Sequence, residues 1–465
     1  HRSRVVLQTA GSGSRGPAMT GRGQTRDVAT AVAIGLAMFV LYNANGREIG
    51  SYDSQPTKYA ARELLLRQTL SLNYVIGKTP QLMERSGFVL ARDGRYRSAY
   101  SPVPAILAAA IMWPLWKAHL FDLDAPMAAA LIASATSSLL VATAVALAFL
   151  TARRATSRRR AAFVAIAAGA GTGLWSTASQ TLWQHETAIA GLMLAVSALT
   201  APDVRMRQAL IIGLGLGLAA ASRMQLGAAV VVLIAAAFCL GGWRSGLAAT
   251  AITAAIVIPV VIANLRWFGS LLGAAPMLEA LHGTVHGTTE SFRFQSDGFA
   301  GLLVSPSRGL LIFSPVVAFV AAGVRIPGRR SWQSPVTWCL AAATAQFVVY
   351  GSYTVWWGGH TFGPRYMLDL LPMLVPAAAV AAETVRRPGV VALAGLALAW
   401  SIAIAALGAF SYPNDAWNSM PLDVDRNHAR LWDWSDNQIA RAWHAGTSPQ
   451  NFSLFTRDAI RAPPP

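Results

Sequence analysis

The sequence predicts an all-α polytopic membrane protein, and three observations carry that class. Of 465 residues, 54% are apolar and only 13% charged, against about 25% charged in a soluble domain. Apolar runs of about 16–25 residues recur along most of the chain, the length that crosses a hydrocarbon core roughly 30 Å thick. Arginines gather in alternate connecting segments, as the positive-inside rule requires. That placement accounts for the net charge of +17 and the mean hydropathy is +0.43, so no nucleic-acid partner is implied.

In chain order, residues 1–27 are Gly-, Ser- and Arg-rich and lack an apolar signal core, which predicts a disordered basic cytoplasmic tail. The first span is expected at about 28–44. A polar stretch and "YSPVPAILAAAIMWPLWKAHLF" follow. Were the latter a full span, the five arginines of "TARRATSRRR" would fall outside. It therefore reads as an interfacial helix broken by Pro102, Pro104 and Pro114. Ten further spans follow at about 126–150, 161–176, 186–200, 208–222, 224–241, 246–264, 309–324, 335–354, 366–383 and 389–410. That makes about eleven, with the N-terminus in and the C-terminus out. The inward loops "TARRATSRRR", "APDVRMRQ", "GGWRSG", "RIPGRRSW" and "TVRRPG" are then all basic. A transmembrane domain of 28–410 thus carries two long outward loops, 45–125 and 265–308, and an outward tail, 411–465. Cys239 and Cys339 lie in apolar runs and read as small core residues.

Most of the candidate chemistry lies on the outward side. In "SYDSQPTKYAARELLLRQTL", Ser54 can cap a short interfacial helix and Pro56 can occupy its first turn. Lys58 and Arg62 share one face, and Tyr59, Leu66 and Leu70 another. Asp53, at the head of this helix, either caps it or acts as a general base toward an acceptor hydroxyl. "DGRYRSAYSPVPAIL" places Arg97 and Tyr100 before the interfacial helix. Arg97 either snorkels or helps to cradle a phosphate. His185 and Glu186 open a span, where Glu186 either complements the helix N-terminus or takes part in a site. Arg223 sits between two apolar runs on the side where positive charge is not expected, and ionisable residues at such boundaries are functional by default. "WWGGHTFGPRYMLDLLPML" brings His360, Arg365, Tyr366 and Asp369 around a Gly-rich turn. The common target of these residues reads as an anionic membrane-resident ligand, its phosphate at the interface held by Arg97, Arg223 and Arg365.

Three stretches, "SYDSQPTKYAAREL", "RYRSAYSPVPAIL" and "WWGGHTFGPRYMLDLLPML", give the chain a layout that resembles the GT-C superfamily of membrane glycosyltransferases over about residues 28–442. "SPSRGLLIFSPV" and "ARLWDWSDNQIARA" also look typical of uncharacterised bacterial members. The resemblance implies a GT-C-like bundle with juxtamembrane helices in the first outward loop. It implies transfer of a sugar from a polyprenyl-phosphate donor to a glycan, lipid or protein acceptor of the cell envelope. By position, Asp53 would be the catalytic base, and Lys58, Arg97 and Arg365 would meet the donor phosphate. Tyr100, His185, Glu186, His360, Tyr366 and Asp369 are candidates for contacts to substrate or acceptor. Some relatives use two acids and a divalent metal, whereas "YDSQ" offers one acid. The sequence requires no cofactor or metal, and the "KPPL"-like lysine of aminoarabinose transferases is not visible.

The expected function is therefore inverting glycosyl transfer in a bacterial inner membrane, with the site on the extracytoplasmic side. A flippase for polyprenyl-linked sugars is the first alternative. It would favour ionisable groups near mid-membrane and internal repeats, neither of which is evident. A non-catalytic envelope-assembly protein is the second. It leaves Arg223, Arg365 and Asp369 unexplained.

Overall fold

The computed structural model describes residues 21–84, 87–286, 291–324 and 331–462. Most of the expected N-terminal tail and residues 325–330 of the loop at "RIPGRRSW" lie outside these. Helix dominates. Among the described residues the strands form one antiparallel hairpin, β1 (Phe88–Leu90) with β2 (Tyr96–Ser98), apart from an isolated bridge between Phe292 and Tyr353.

Helix α1 spans Gly21–Tyr42 and begins earlier than expected. Asp27 is buried in it because Arg153 and Arg158 reach its carboxylate at 3.1 and 2.7 Å. After α1 come α2 (Gln55–Arg67), α3 (Asn73–Lys78) and α4 (Val103–Lys117). The prolines do not break α4. Pro102 precedes it, Pro104 sits in its first turn, and only Pro114 lies inside. At about 1.5 Å per residue the 15 residues of α4 fall short of a membrane crossing, as expected of an interfacial helix.

The bundle continues with α5 (Ala128–Arg153), α6 (Arg158–Ala170), α7 (His185–Leu199), α8 (Met206–Ser222) and α9 (Gly227–Phe268). Helix α9 is two helices joined at Gly242, whose φ of 77° is non-helical. The ring of Phe238 lies 2.2 Å from where a Cβ on Gly246 would stand. Eight residues along an unbroken helix would be about 12 Å apart, so the chain turns back there. This is the pair of spans expected at 224–241 and 246–264, and Cys239 is exposed on the outside of the first.

Then come α10 (Ala275–His286), α11 (Ser296–Val304), α12 (Leu310–Phe313), α13 (Pro335–Ser352), α14 (Leu371–Thr384) and α15 (Pro388–Ser411). The span expected at 309–324 is not one helix. After α12 the chain breaks at Ser314 and continues as a 3-10 segment, Pro315–Gly323, because proline lacks an N–H and disfavours helix at the residue before it. Among the described residues, five helical segments are long and apolar enough to cross a membrane: Gly23–Tyr42, Ala128–Arg153, Met224–Phe268, Arg365–Thr384 and Pro388–Ser411. The chain is an all-α polytopic membrane protein.

Two packing features position the site. Helices α7 and α8 cross at Gly191 and Gly215, where a Cβ on either would stand 2.5 or 2.4 Å from the other's carbonyl oxygen. Small residues permit such close crossings in membranes. The crossing brings His185, at the start of α7, beside Arg223, just past the end of α8.

The second feature is a cap. Beyond α15 the chain folds back with α16 (Gln438–Ala445) and α17 (Arg457–Ile460), centred on the fully buried Arg308. Its Nε donates to Trp357 O. Its Nη1 donates to Ser307 O and Gln438 Oε1, and its Nη2 to Gly359 O and Asn418 Oδ1, all at 2.6–3.0 Å. These spend all the N–H donors of a guanidinium. Burial pushes Arg308 down to about 10. Buried Trp417 lies between Arg308 and Arg430, 5.2 and 4.7 Å from its ring centre.

Candidate active site

Residues from widely separated elements meet at one end of the bundle, in two layers. The outer layer is built on Asp53, whose Oδ2 accepts from Arg365 Nη1 at 2.9 Å. The acid is 34% exposed at its side chain and the guanidinium 9%. Asp53 therefore does not cap α2, and Ser54 makes no side-chain cap either, its hydroxyl being turned back to Ser51 O. Tyr100 faces the same pair. Burial and the adjoining Asp53 carboxylate push its hydroxyl well above the usual range. The guanidinium of Arg365 lies 4.8 Å from the Trp183 ring centre. Arg365 Nε and Trp183 Nε1 are buried and have no hydrogen-bond partner among the described residues.

Arg365 reaches this position because Gly358 and Gly359 take consecutive φ angles of 73° and 69°, which glycine adopts at little cost. Arg308 then clamps the turn through the carbonyls of Trp357 and Gly359.

The inner layer is a closed ion pair. Asp369 Oδ1 lies 2.8 Å from His185 Nδ1, and its Oδ2 lies 2.5 Å from the Tyr350 hydroxyl and 3.1 Å from Arg223 Nε. Arg223 Nη1 is 3.1 Å from His185 Nε2, and its Nη2 donates to the Tyr350 hydroxyl at 3.3 Å. Arginine can only donate. His185 Nε2 is therefore the acceptor, and Nδ1 carries the proton that bonds Asp369. Tyr366 joins the layers. It stacks on Tyr350 at 5.1 Å, with the Arg365 and Arg223 guanidiniums 5.6 and 5.7 Å from its ring centre. Glu186 is buried nearby in sequence. Its Oε1 accepts from Thr187, and its Oε2 has no hydrogen-bond partner among the described residues.

Asp53, Tyr100, His185, Arg223, Arg365, Tyr366 and Asp369 thus come together as the sequence suggests, but Lys58, Arg97 and His360 are engaged elsewhere. Lys58 pairs with Glu48, which also accepts from Thr181. Glu48, between α1 and α2, carries no motif that singles it out in the sequence. Arg97 pairs with Asp93 at 2.6 Å and stacks 4.1 Å over Trp267. His360 Nε2 sits 3.3 Å from both Asp423 and Asp425.

Among the described residues, His360, Asp423 and Asp425 are the one group whose ligand atoms could converge on a metal ion. They also satisfy one another as an ion pair. Burial alone would lower His360, but Asp425 and Asp423 outweigh it and hold the imidazole above its usual value. A raised folded value stabilises fully below the unfolded value, and that contribution is lost as pH rises through the folded value. Wild-type thermal stability is accordingly expected to fall between pH 6 and pH 8 relative to His360→Gln, and EDTA is expected to change neither. A loss with EDTA that Mn²⁺ reverses would assign a cation to these residues instead.

Fold and site define a membrane protein with a paired acid and arginine over a buried ion cluster. No protein-family model matches the chain, and no curated protein matches it. Two solved structures are similar in fold. One is ArnT from Cupriavidus metallidurans bound to undecaprenyl phosphate, at 16% identity and a TM-score of 0.49, covering 87% of this chain and 68% of that one. The other is the Archaeoglobus fulgidus oligosaccharyltransferase in its apo form, at 14% identity and a TM-score of 0.48, covering 89% of this chain and 60% of that one.

Proposed function

We propose that the chain is a membrane glycosyltransferase that moves a sugar from a polyprenyl-phosphate donor to an envelope acceptor hydroxyl on the extracytoplasmic side. The observation that carries this reading is the Asp53–Arg365 pair, a half-open carboxylate on a buried guanidinium with Nε unspent. As the donor binds, its phosphate takes Arg365 and releases Asp53. The acceptor oxygen then attacks the anomeric carbon from the face opposite the phosphate, the bond to the phosphate oxygen breaks, and the configuration inverts. Asp53 takes the acceptor proton, while Arg365 stabilises the charge that grows on the departing phosphate. Arg223 is already neutralised by Asp369. Its role is to hold Tyr366 and the floor of the site, not the phosphate. No metal is assigned to the step.

The test is donor binding. Undecaprenyl phosphate, the lipid in the ArnT structure, serves as the probe. Arg365→Ala is expected to weaken its binding by about ten- to a hundredfold, the loss of one charge-assisted contact of about 1.4–2.8 kcal/mol. Arg365→Lys should recover part of that. Equal affinity in wild type and Arg365→Ala would remove Arg365 from the donor site.

A further inference from the structure

Along the whole of α14, from Leu371 to Arg386 just past its end, runs an apolar groove that this mechanism does not use. It has a volume of about 540 Å³ and runs between α6, the 3-10 segment Pro315–Gly323, α14 and α15. Its lining combines small residues, Ala167, Ala378 and Ala382, with larger ones such as Phe163 and Val320. The volume lies within the roughly 300–1,000 Å³ of pockets that hold one ligand. Along α14 the lining extends from Leu371 to Ala382, about 17 Å at 1.5 Å per residue. That is the shape of one lipid chain lying along the bundle.

The head of the groove is basic. Arg159, Arg160 and Arg386 all line it, and the carboxylate of Glu383 pairs with Arg160 at 2.6 Å and Arg386 at 2.8 Å. Three guanidiniums thus face one acid. Arg159 is exposed and makes no hydrogen bond or ion pair among the described residues. Arg386 is 71% exposed at its side chain. A fixed positive mouth over an apolar channel complements an anionic head on an acyl chain. The mouth lies at the C-terminal end of α14, and the Asp369 cluster precedes its N-terminal end. The 14 residues between span about 21 Å.

We infer that this groove binds one anionic glycerophospholipid of the leaflet at the basic end of the bundle. Its phosphate rests on Arg159 and Arg386, and one acyl chain fills the channel. The site is separate from the proposed donor site and does not depend on the transferase reading.

The full chain purified in mild detergent, with dioleoyl-phosphatidylglycerol or dioleoyl-phosphatidylcholine added, is the material for native mass spectrometry. One phosphatidylglycerol is expected to be retained, at least about tenfold in preference to phosphatidylcholine. Arg159→Gln with Arg386→Gln should erase the preference. Ala378→Phe, which fills the channel without touching charge, should lower retention of both lipids. Thermal unfolding in phosphatidylcholine nanodiscs checks that each variant is folded. Equal retention of the two lipids by wild type, or unchanged retention in both variants, would overturn the proposal. So would a polyprenyl phosphate displacing phosphatidylglycerol from this groove.

Discussion

Asp53→Asn is expected to lower sugar transfer by about 10²–10⁴-fold, the range for losing a positioned general base, while undecaprenyl phosphate binds at least as tightly as to wild type. The two readouts separate because Asp53 and the donor phosphate compete for Arg365. The acid holds Nη1 at 2.9 Å, and the neutral amide leaves the guanidinium uncompensated and open to the phosphate. A transfer assay with a polyprenyl-phosphate sugar, run beside a binding titration with the bare carrier, measures both. Full transfer by Asp53→Asn would take Asp53 out of the chemistry. Loss of transfer together with loss of binding would make it a structural residue.

The largest effect on stability is expected at Asp369. Its carboxylate is fully buried and bonded to His185, Tyr350 and Arg223. Asp369→Asn keeps the shape but leaves the guanidinium of Arg223 unpaired in the interior, which costs about 3–5 kcal/mol. Thermal unfolding in nanodiscs should show this as a marked fall in midpoint. Adding Arg223→Met removes the stranded charge, so the double variant is expected to be more stable than Asp369→Asn alone. A double variant no better than the single one would mean that the pair is not the closed unit described above.

The sequence disclosed the class and much of the site. Spans were legible because apolar length and arginine placement are properties of the chain itself. Arg223, Arg365 and Asp369 were legible because ionisable residues at an apolar boundary are costly there. What could not be read was partnership. Nothing in the sequence marks Glu48 as the partner of Lys58, ten residues further on. Arg97 looked like a phosphate ligand, yet its partners are Asp93, four residues away, and Trp267, which comes from the far side of α9. Ser314 breaks a run that looks uniformly apolar, and Pro315 was the signal for it. Arg308 obeys the same boundary rule that singled out Arg223. It was passed over because its partners, Asn418 and Gln438, lie more than a hundred residues further on.

That distance has a consequence for how the molecule is made. As the chain is threaded into the membrane, Arg308 arrives before Asn418 and Gln438 have been synthesised, with the helices α13, α14 and α15 still to come between them. Until then the guanidinium that clamps the turn at Gly358–Gly359 lacks two of its five acceptors. The support behind Arg365 is therefore completed only when the segment that carries Asn418 and Gln438 folds back onto the bundle.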